Sequence, residues 1–164
     1  TLSAYFIGLN ANAFIYDALF SALIVMTFID IDTKEIPNGI VVFIIILSIP
    51  LFFTAKDVVW WHRLVGAVVI SVPLYVIALV TGGIGGGDIK LYFALGLVLG
   101  LYPTLVSAFI AIVSAGLIGG VLLLTKKVRK GYELPLGPFI ALGAVVTVFA
   151  GTPIIDGIKN LFGI

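Results

Sequence analysis

Two groups of acidic residues carry most of the chemistry that this chain of 164 residues could perform. Asp30 opens the first group, and Pro37 must end any helix that holds it. The second group is Asp88, which directly follows the three glycines Gly85–Gly87. Two carboxylates that share a cavity cannot both ionise cheaply, so one keeps its proton while the other acts as a base on water. If the chain brings them together, the pair predicts hydrolytic acid–base chemistry.

The stretch before Asp88 has five glycines in the six residues 82–87. A helix is unfavourable there, because each glycine costs about 1 kcal/mol relative to alanine. A phosphate-binding loop is excluded, since no Gly-Lys-Ser/Thr follows and Asp88 would repel a phosphate. Two interpretations stay open: a flexible loop between helices, or bare backbone that lets a peptide or another helix approach Asp88 closely.

Other catalytic classes are poorly represented. The sequence has no cysteine, which excludes disulfides, thiol nucleophiles and cysteine-bound zinc. Its single histidine, His62, lies apart from every serine, so a serine–histidine mechanism and a transition-metal site are both unfavourable. We therefore expect no metal and no cofactor. The segment Trp60-Trp61-His62-Arg63 has the composition of an anchor at the membrane surface.

The composition decides where these residues must lie. Apolar residues make up 62% of the chain and charged residues only 10%, whereas ordinary globular domains have about 45–50% and about 25%. A chain of this size cannot bury so much apolar surface, so we expect an integral membrane protein in contact with the lipid bilayer. A net charge of +1 also argues against nucleic acid as a partner and against disorder.

Uncharged runs predict an all-α polytopic fold with about six transmembrane helices in a single membrane-embedded domain. The run 91–125 would measure about 52 Å as one helix, so we expect a break at Tyr102-Pro103. The fourth helix, Asp88–Tyr102, is then short, at about 22 Å, and is preceded by the glycine-rich loop. Either the bilayer is thinner around this helix, or Asp88 and the glycines before it lie inside the membrane boundary and face a wet cavity. Two GxxxG spacings, Gly96–Gly100 and Gly116–Gly120, predict close helix contacts.

The distribution of basic residues predicts the orientation. If the first helix ends in the cytoplasm, one side holds six basic residues and the other three. The six are Lys34, Lys90, Lys126, Lys127, Arg129 and Lys130, and the three are Lys56, Arg63 and Lys159. Six crossings then place Asp30 and Asp88 on the same, cytoplasmic, side.

The residues around both aspartates resemble the type IV prepilin peptidases, a family of GxGD-type membrane aspartyl proteases that includes archaeal preflagellin peptidases. Gly85–Asp88 matches the GxGD motif, and Lys90 fits its usual continuation. Asp30 stands seven residues before the proline of an Ile-Pro-Asn, as in the family's other block. Leu134–Phe139 resembles a third sequence block of the family. The resemblance covers roughly residues 20–150.

The resemblance implies that Asp30 and Asp88 form the catalytic pair, with Asp32 as the alternative partner. It implies supporting or substrate-binding roles for Gly85, Gly86, Gly87, Asp32, Lys90, Pro37 and Asn38. The chain has no cysteine-rich N-terminal region of the kind linked to methyl transfer in bacterial members, so we do not expect that activity.

The implied function is an endopeptidase in the prokaryotic cell membrane. It would remove the short basic leader from prepilin-like or preflagellin-like precursors at the cytoplasmic face, cutting after a Gly or Ala and before a hydrophobic helix. The main alternative is a small transporter or channel subunit whose intramembrane acids form an ion path. An inactive scaffold of a pilus assembly machine is a third interpretation. A second copy of the chain is a further candidate partner.

Overall fold

The computed structural model describes residues 11–55, 58–83, 85–126 and 134–162, without the side chains of residues 11 and 151–162. The start of the predicted first span, Lys56, the basic segment Lys127–Lys130 and the side chain of Lys159 lie outside this description. Every regular element in the described part is helical, which confirms the all-α class. The helices are α1 (Ala11–Thr33), α2 (Asn38–Thr54), α3 (Trp60–Thr81), α4 (Gly86–Leu99), α5 (Leu101–Leu124) and α6 (Gly137–Phe162).

Within the described residues, three stretches of helix are long and apolar enough to cross a membrane: Asn12–Thr33 in α1, Trp60–Thr81 in α3 and Leu101–Leu124 in α5. The apolar helices Asn38–Thr54 and Gly137–Ala150 are shorter. Large apolar side chains project outward along most of these helices. Exposing so large an apolar surface to water is unfavourable, whereas contact with the acyl chains of a bilayer is not, so this surface fits a multi-pass membrane protein.

Helix α4 is the short helix that the sequence predicts, with 14 residues, and it forms the centre of the fold. It packs against α2, α3, α5 and α6. Leu91, Leu95 and Val98 are fully buried along it. Because one end of α4 carries Asp88, its neighbours fix where that carboxylate lies.

The break between α4 and α5 lies at Gly100, so the predicted break at Tyr102-Pro103 is wrong by a few residues. Gly100 has φ of +83°, a conformation that side chains other than hydrogen disfavour, and its N–H donates to the carbonyl of Gly96. Pro103 is the third residue of α5. Proline is accepted in a first turn, where its missing N–H would have no helical partner, so it need not mark the break.

The first GxxxG spacing is a close contact and the second is not. A Cβ atom on Gly66 of α3 would lie 2.7 Å from the backbone carbon of Gly100 and 2.9 Å from the carbonyl oxygen of Gly96. A Cβ on Gly96 would clash with the backbone of Gly66 in return. A Cβ on Gly116 or Gly120 would meet no described atom within 4 Å. The approach of α3 to α4 therefore depends on Gly66 and Gly96.

Gly96→Ala should therefore destabilise the protein by about 1–3 kcal/mol. The added methyl group would clash with the backbone of α3 at Gly66, so α3 and α4 would have to move apart. Gly116→Ala is the matched control, since its methyl group enters open space. Thermal unfolding in detergent measures both. Equal melting temperatures for the two variants would contradict a close α3–α4 contact.

Arg63 does not belong to a surface anchor, and that part of the prediction is wrong. Its side chain is 1% exposed, and its Nη1 donates to the carbonyl oxygens of Leu97 (3.1 Å) and Val98 (2.5 Å). The last carbonyls of a helix have no partner within the helix, so the guanidinium stabilises the end of α4 that lies opposite Asp88. Trp60 and Trp61 are exposed, as an anchor requires.

Candidate active site

Asp30 lies in the last turn of α1 and is held by the start of α6. Its side chain is 4% exposed, and the backbone N–H of Gly137 donates to its Oδ2 at 2.9 Å. Gly137 is the first residue of α6, so this N–H is one of the donors that the helix itself leaves unpaired. The positive end of a helix also favours a carboxylate. Two helices distant in the sequence thereby fix the position of one acid.

The absence of a side chain at Gly137 leaves room for this contact. A Cβ at this position would lie 2.7 Å from Oδ2 of Asp30 and 2.8 Å from Sδ of Met26. The sequence indicated the surrounding block, Leu134–Phe139, but gave no role to Gly137 or Met26. A glycine at the start of a helix, just after Pro135 and Leu136, was the available signal, but no local pattern identifies its partner.

Asp88 lies in the first turn of α4 and is 9% exposed. Its backbone N–H donates to the carbonyl of Gly85 at 3.2 Å. A carboxylate in a first turn interacts favourably with the helix dipole. The last glycines of the stretch therefore form the start of α4, and Asp88 lies in the first turn of this helix.

The three glycines before Asp88 are not equivalent. A Cβ on Gly87 would lie 2.9 Å from Cβ of Ile36, so the glycine lets α4 approach the chain just before α2. A Cβ on Gly85 would lie 3.3 Å from Oδ2 of Asp88. A Cβ on Gly86 would meet no described atom within 4 Å. The packing thus restricts the first and third positions of Gly85–Gly87 and leaves the middle one open.

Gly87→Ala should lower any activity of this site much more than Gly86→Ala. The methyl group at position 87 must displace Ile36 or α4, and a shift of about 1 Å in a reacting group can cost about 100-fold in rate. The methyl group at position 86 enters open space. Turnover per folded molecule, normalised to the amount of each variant in the membrane, separates the two. Similar losses for both variants would show that the glycines serve only loop flexibility.

Asp30 and Asp88 line the same cavity of about 370 Å³. The charge of Asp30 acts on the carboxyl group of Asp88, so the two acids are electrostatically coupled. Such a pair gains or loses protons as a unit, because the state in which the two carboxylates share one proton costs less free energy than the state in which both are ionised. The other residues around the cavity are Lys34, Glu35, Ile36, Asn38, Gly85, Gly86, Gly87 and Lys90.

The remaining candidates divide into two groups. Lys90 and Asn38 line the cavity, and the Nζ of Lys90 donates to the Oδ1 of Asn38 at 3.1 Å. Pro37 occupies the N-cap position of α2 and so starts the helix that carries Asn38. Asp32 is exposed and lies outside the cavity lining, although it is only two residues from Asp30. Of the two candidate partners of Asp88, Asp30 and Asp32, only Asp30 lines the same cavity.

Tyr92 is a neighbour of Asp88 that the sequence gave no reason to select. It lies one helical turn further along α4, is buried, and lines a second, smaller cavity of about 60 Å³ together with Asp88. Its hydroxyl group makes no hydrogen bond to any described residue. Among the described residues, no group of three His, Cys, Asp or Glu side chains could hold a metal ion.

Comparison with known proteins shows which family of sequences the chain resembles. Residues 18–120 match the Type IV leader peptidase family. A prepilin leader peptidase/N-methyltransferase of Bacillus subtilis (strain 168) is 34% identical over 151 residues, covering 91% of this chain and 60% of that protein. Proteins with the same name from Burkholderia pseudomallei (strain 1026b) and Stutzerimonas stutzeri are 32% and 30% identical, covering 82% and 80% of this chain and 46% and 48% of theirs. The chain thus spans about half the length of the relatives it matches. No solved structure matches it significantly.

Proposed function

Because the chain belongs to the type IV leader peptidase family, we propose that it is a membrane aspartic endopeptidase. Its substrates are prepilin-like or preflagellin-like precursors, from which it removes the short basic leader at the cytoplasmic face. The 164 residues act as a single membrane-embedded peptidase domain. The relatives' names support this substrate class, since each is a prepilin leader peptidase.

The observation that carries the proposal is the shared cavity of Asp30 and Asp88. In the proposed reaction the ionised member of the pair removes a proton from a water molecule. The water oxygen attacks the carbonyl carbon of the scissile peptide bond, while the protonated member donates to the carbonyl oxygen. The carbon–nitrogen bond then breaks as the leaving amine takes up the proton that the first acid removed from water, and the hydroxyl group formed from the carbonyl oxygen returns its proton to the second acid. No residue beyond the two acids is needed for the proton transfers.

Six membrane crossings and a cytoplasmic site complete the proposal. Besides the three long helices, α2, α4 and α6 also cross, and the bilayer is locally thinner around the two shorter ones, α2 with 17 residues and α4 with 14. Asp30 lies near the end of α1 and Asp88 near the start of α4, so the two crossings between them, α2 and α3, return the chain to the same side, in agreement with their common cavity. The excess of lysine and arginine on that side supports the cytoplasmic orientation.

Cleavage of a tagged precursor by the intact chain tests the function. The chain is expressed in a host that lacks a type IV leader peptidase of its own, together with a prepilin-like precursor. We expect a shorter product whose new N-terminus follows the leader. A precursor that stays full length, although the chain is folded in the membrane, would overturn the proposal. The transporter alternative predicts instead an ion flux into vesicles with no cleavage.

A further inference from the structure

A third cavity, of about 640 Å³, lies beside the 370 Å³ cavity that Asp30 and Asp88 line. Helix α4 forms its floor through Ile89, Lys90 and Phe93, whereas α2 and α3 form its walls. Both wall helices pack against α4 but make few contacts with each other. The cavity is therefore a groove, open to the membrane along its length. We call it the α2–α3 groove.

The groove follows from the way α3 crosses α4. The two helices approach most closely at Gly66 and Gly96, near the end of α4 that Arg63 stabilises. Beyond that contact, the α3 residues Val68, Val72 and Tyr75 face the groove instead. All three are at least partly exposed, and no described element covers them. The wall is apolar over most of its length.

The groove is continuous with the cavity of the two aspartates. Asn38 and Lys90 line both spaces, and their mutual hydrogen bond places a polar pair at the junction. On one side of the pair lie the acids and the glycine backbone, and on the other lie almost only apolar side chains. This continuity distinguishes the groove from an ordinary lipid-facing surface.

We infer that the α2–α3 groove binds the apolar residues that follow the scissile bond of the precursor. The inference rests on the proposed function. A substrate that is polar before the cut and hydrophobic after it matches a polar cavity that opens into an apolar groove. Asn38 and Lys90 lie where the precursor must be extended to be cut, and their side chains can form hydrogen bonds with the precursor backbone. A volume of about 640 Å³ is in the range of pockets that bury a small ligand, roughly 300–1,000 Å³.

Filling the groove tests the inference. Val72→Trp places a large side chain in the groove, and Val76→Trp is the matched control on the same helix. Both valines are 53% exposed, but only Val72 lines the groove. For a precursor with its full hydrophobic segment, we expect Val72→Trp to raise KM about tenfold, because the substrate loses burial of an apolar side chain. For a short peptide that ends just after the cleavage site, both variants should match the unmodified chain.

Cross-linking gives a second measurement that needs no turnover. The sequence has no cysteine, so Val72→Cys or Val76→Cys introduces the only thiol. With an added mild oxidant such as copper phenanthroline to accept the two electrons, a precursor with one cysteine among its first mature residues should form a disulfide with the first variant and not with the second.

The outcomes separate the two proposals. If the unmodified chain cuts no precursor, the proposed function fails. If it cuts the precursor but Val72→Trp leaves KM unchanged, or both cysteines cross-link equally, the groove assignment fails and lipid is its occupant.

Discussion

Asp88→Asn and Asp30→Asn should each slow precursor cleavage by about 100- to 10,000-fold, the usual contribution of a positioned acid or base. Asparagine has nearly the shape of aspartate but can neither hold nor release the proton that the reaction moves. At position 30 its side-chain oxygen can still accept the N–H of Gly137, so the contact between α1 and α6 is kept. The loss should therefore come from chemistry and not from folding. The measurement is the rate of appearance of the shortened precursor in membranes with equal amounts of each variant.

Asp32→Asn is the matched control for these two variants. Asp32 is an acid close to Asp30 in the sequence, but it is exposed and does not line the cavity. We expect it to keep close to the full rate. If Asp32→Asn were inactive and Asp30→Asn active, Asp32 would be the partner of Asp88. If Asp30→Asn and Asp88→Asn both kept the full rate, the chain would not use an aspartate pair.

Gly137→Ala should lower the turnover number by about 100-fold, although position 137 contributes no side chain to the site. The new methyl group would lie 2.7 Å from Oδ2 of Asp30, so the carboxylate must move away and loses its hydrogen bond from the start of α6. Met26 is flexible and can yield, but the carboxylate cannot yield without changing the geometry of the pair. Steady-state cleavage of the precursor measures the effect, and KM should change less than the turnover number.

Gly39→Ala provides the control, because a Cβ there meets no described atom within 4 Å and the residue lies next to Asn38 near the same cavity. It should remain active. The double variant Gly137→Ala/Met26→Ala tests the cause. It removes the contact with sulfur and keeps the contact with Asp30, so it should stay slow. Recovery of the rate in the double variant would show that packing against Met26, and not the position of Asp30, explains the loss.

Much of the fold follows from local features of the sequence. The length of an uncharged run limits how a helix can cross a bilayer, so the helical class and the short central helix could be predicted. Two acids beside helix-breaking residues could be selected for the same reason, since charges are rare in such a chain. The sequence placed the break at Pro103 instead of Gly100, because proline is the stronger local signal for a helix end. A glycine with positive φ has no distinct pattern in the sequence.

Contacts between distant helices were decided by the tertiary structure alone. The sequence selected Asp30 and Asp88 as the candidate catalytic pair, but not the first N–H of α6 as the donor that holds Asp30 from 107 residues away. It identified Arg63 as a basic residue near a membrane surface, but not as the residue that stabilises the end of α4. It also gave no sign of the α2–α3 groove, because a groove is a space between helices and belongs to none of them. Local propensity acts within a helix, whereas close packing among several helices decides which backbone group meets which side chain.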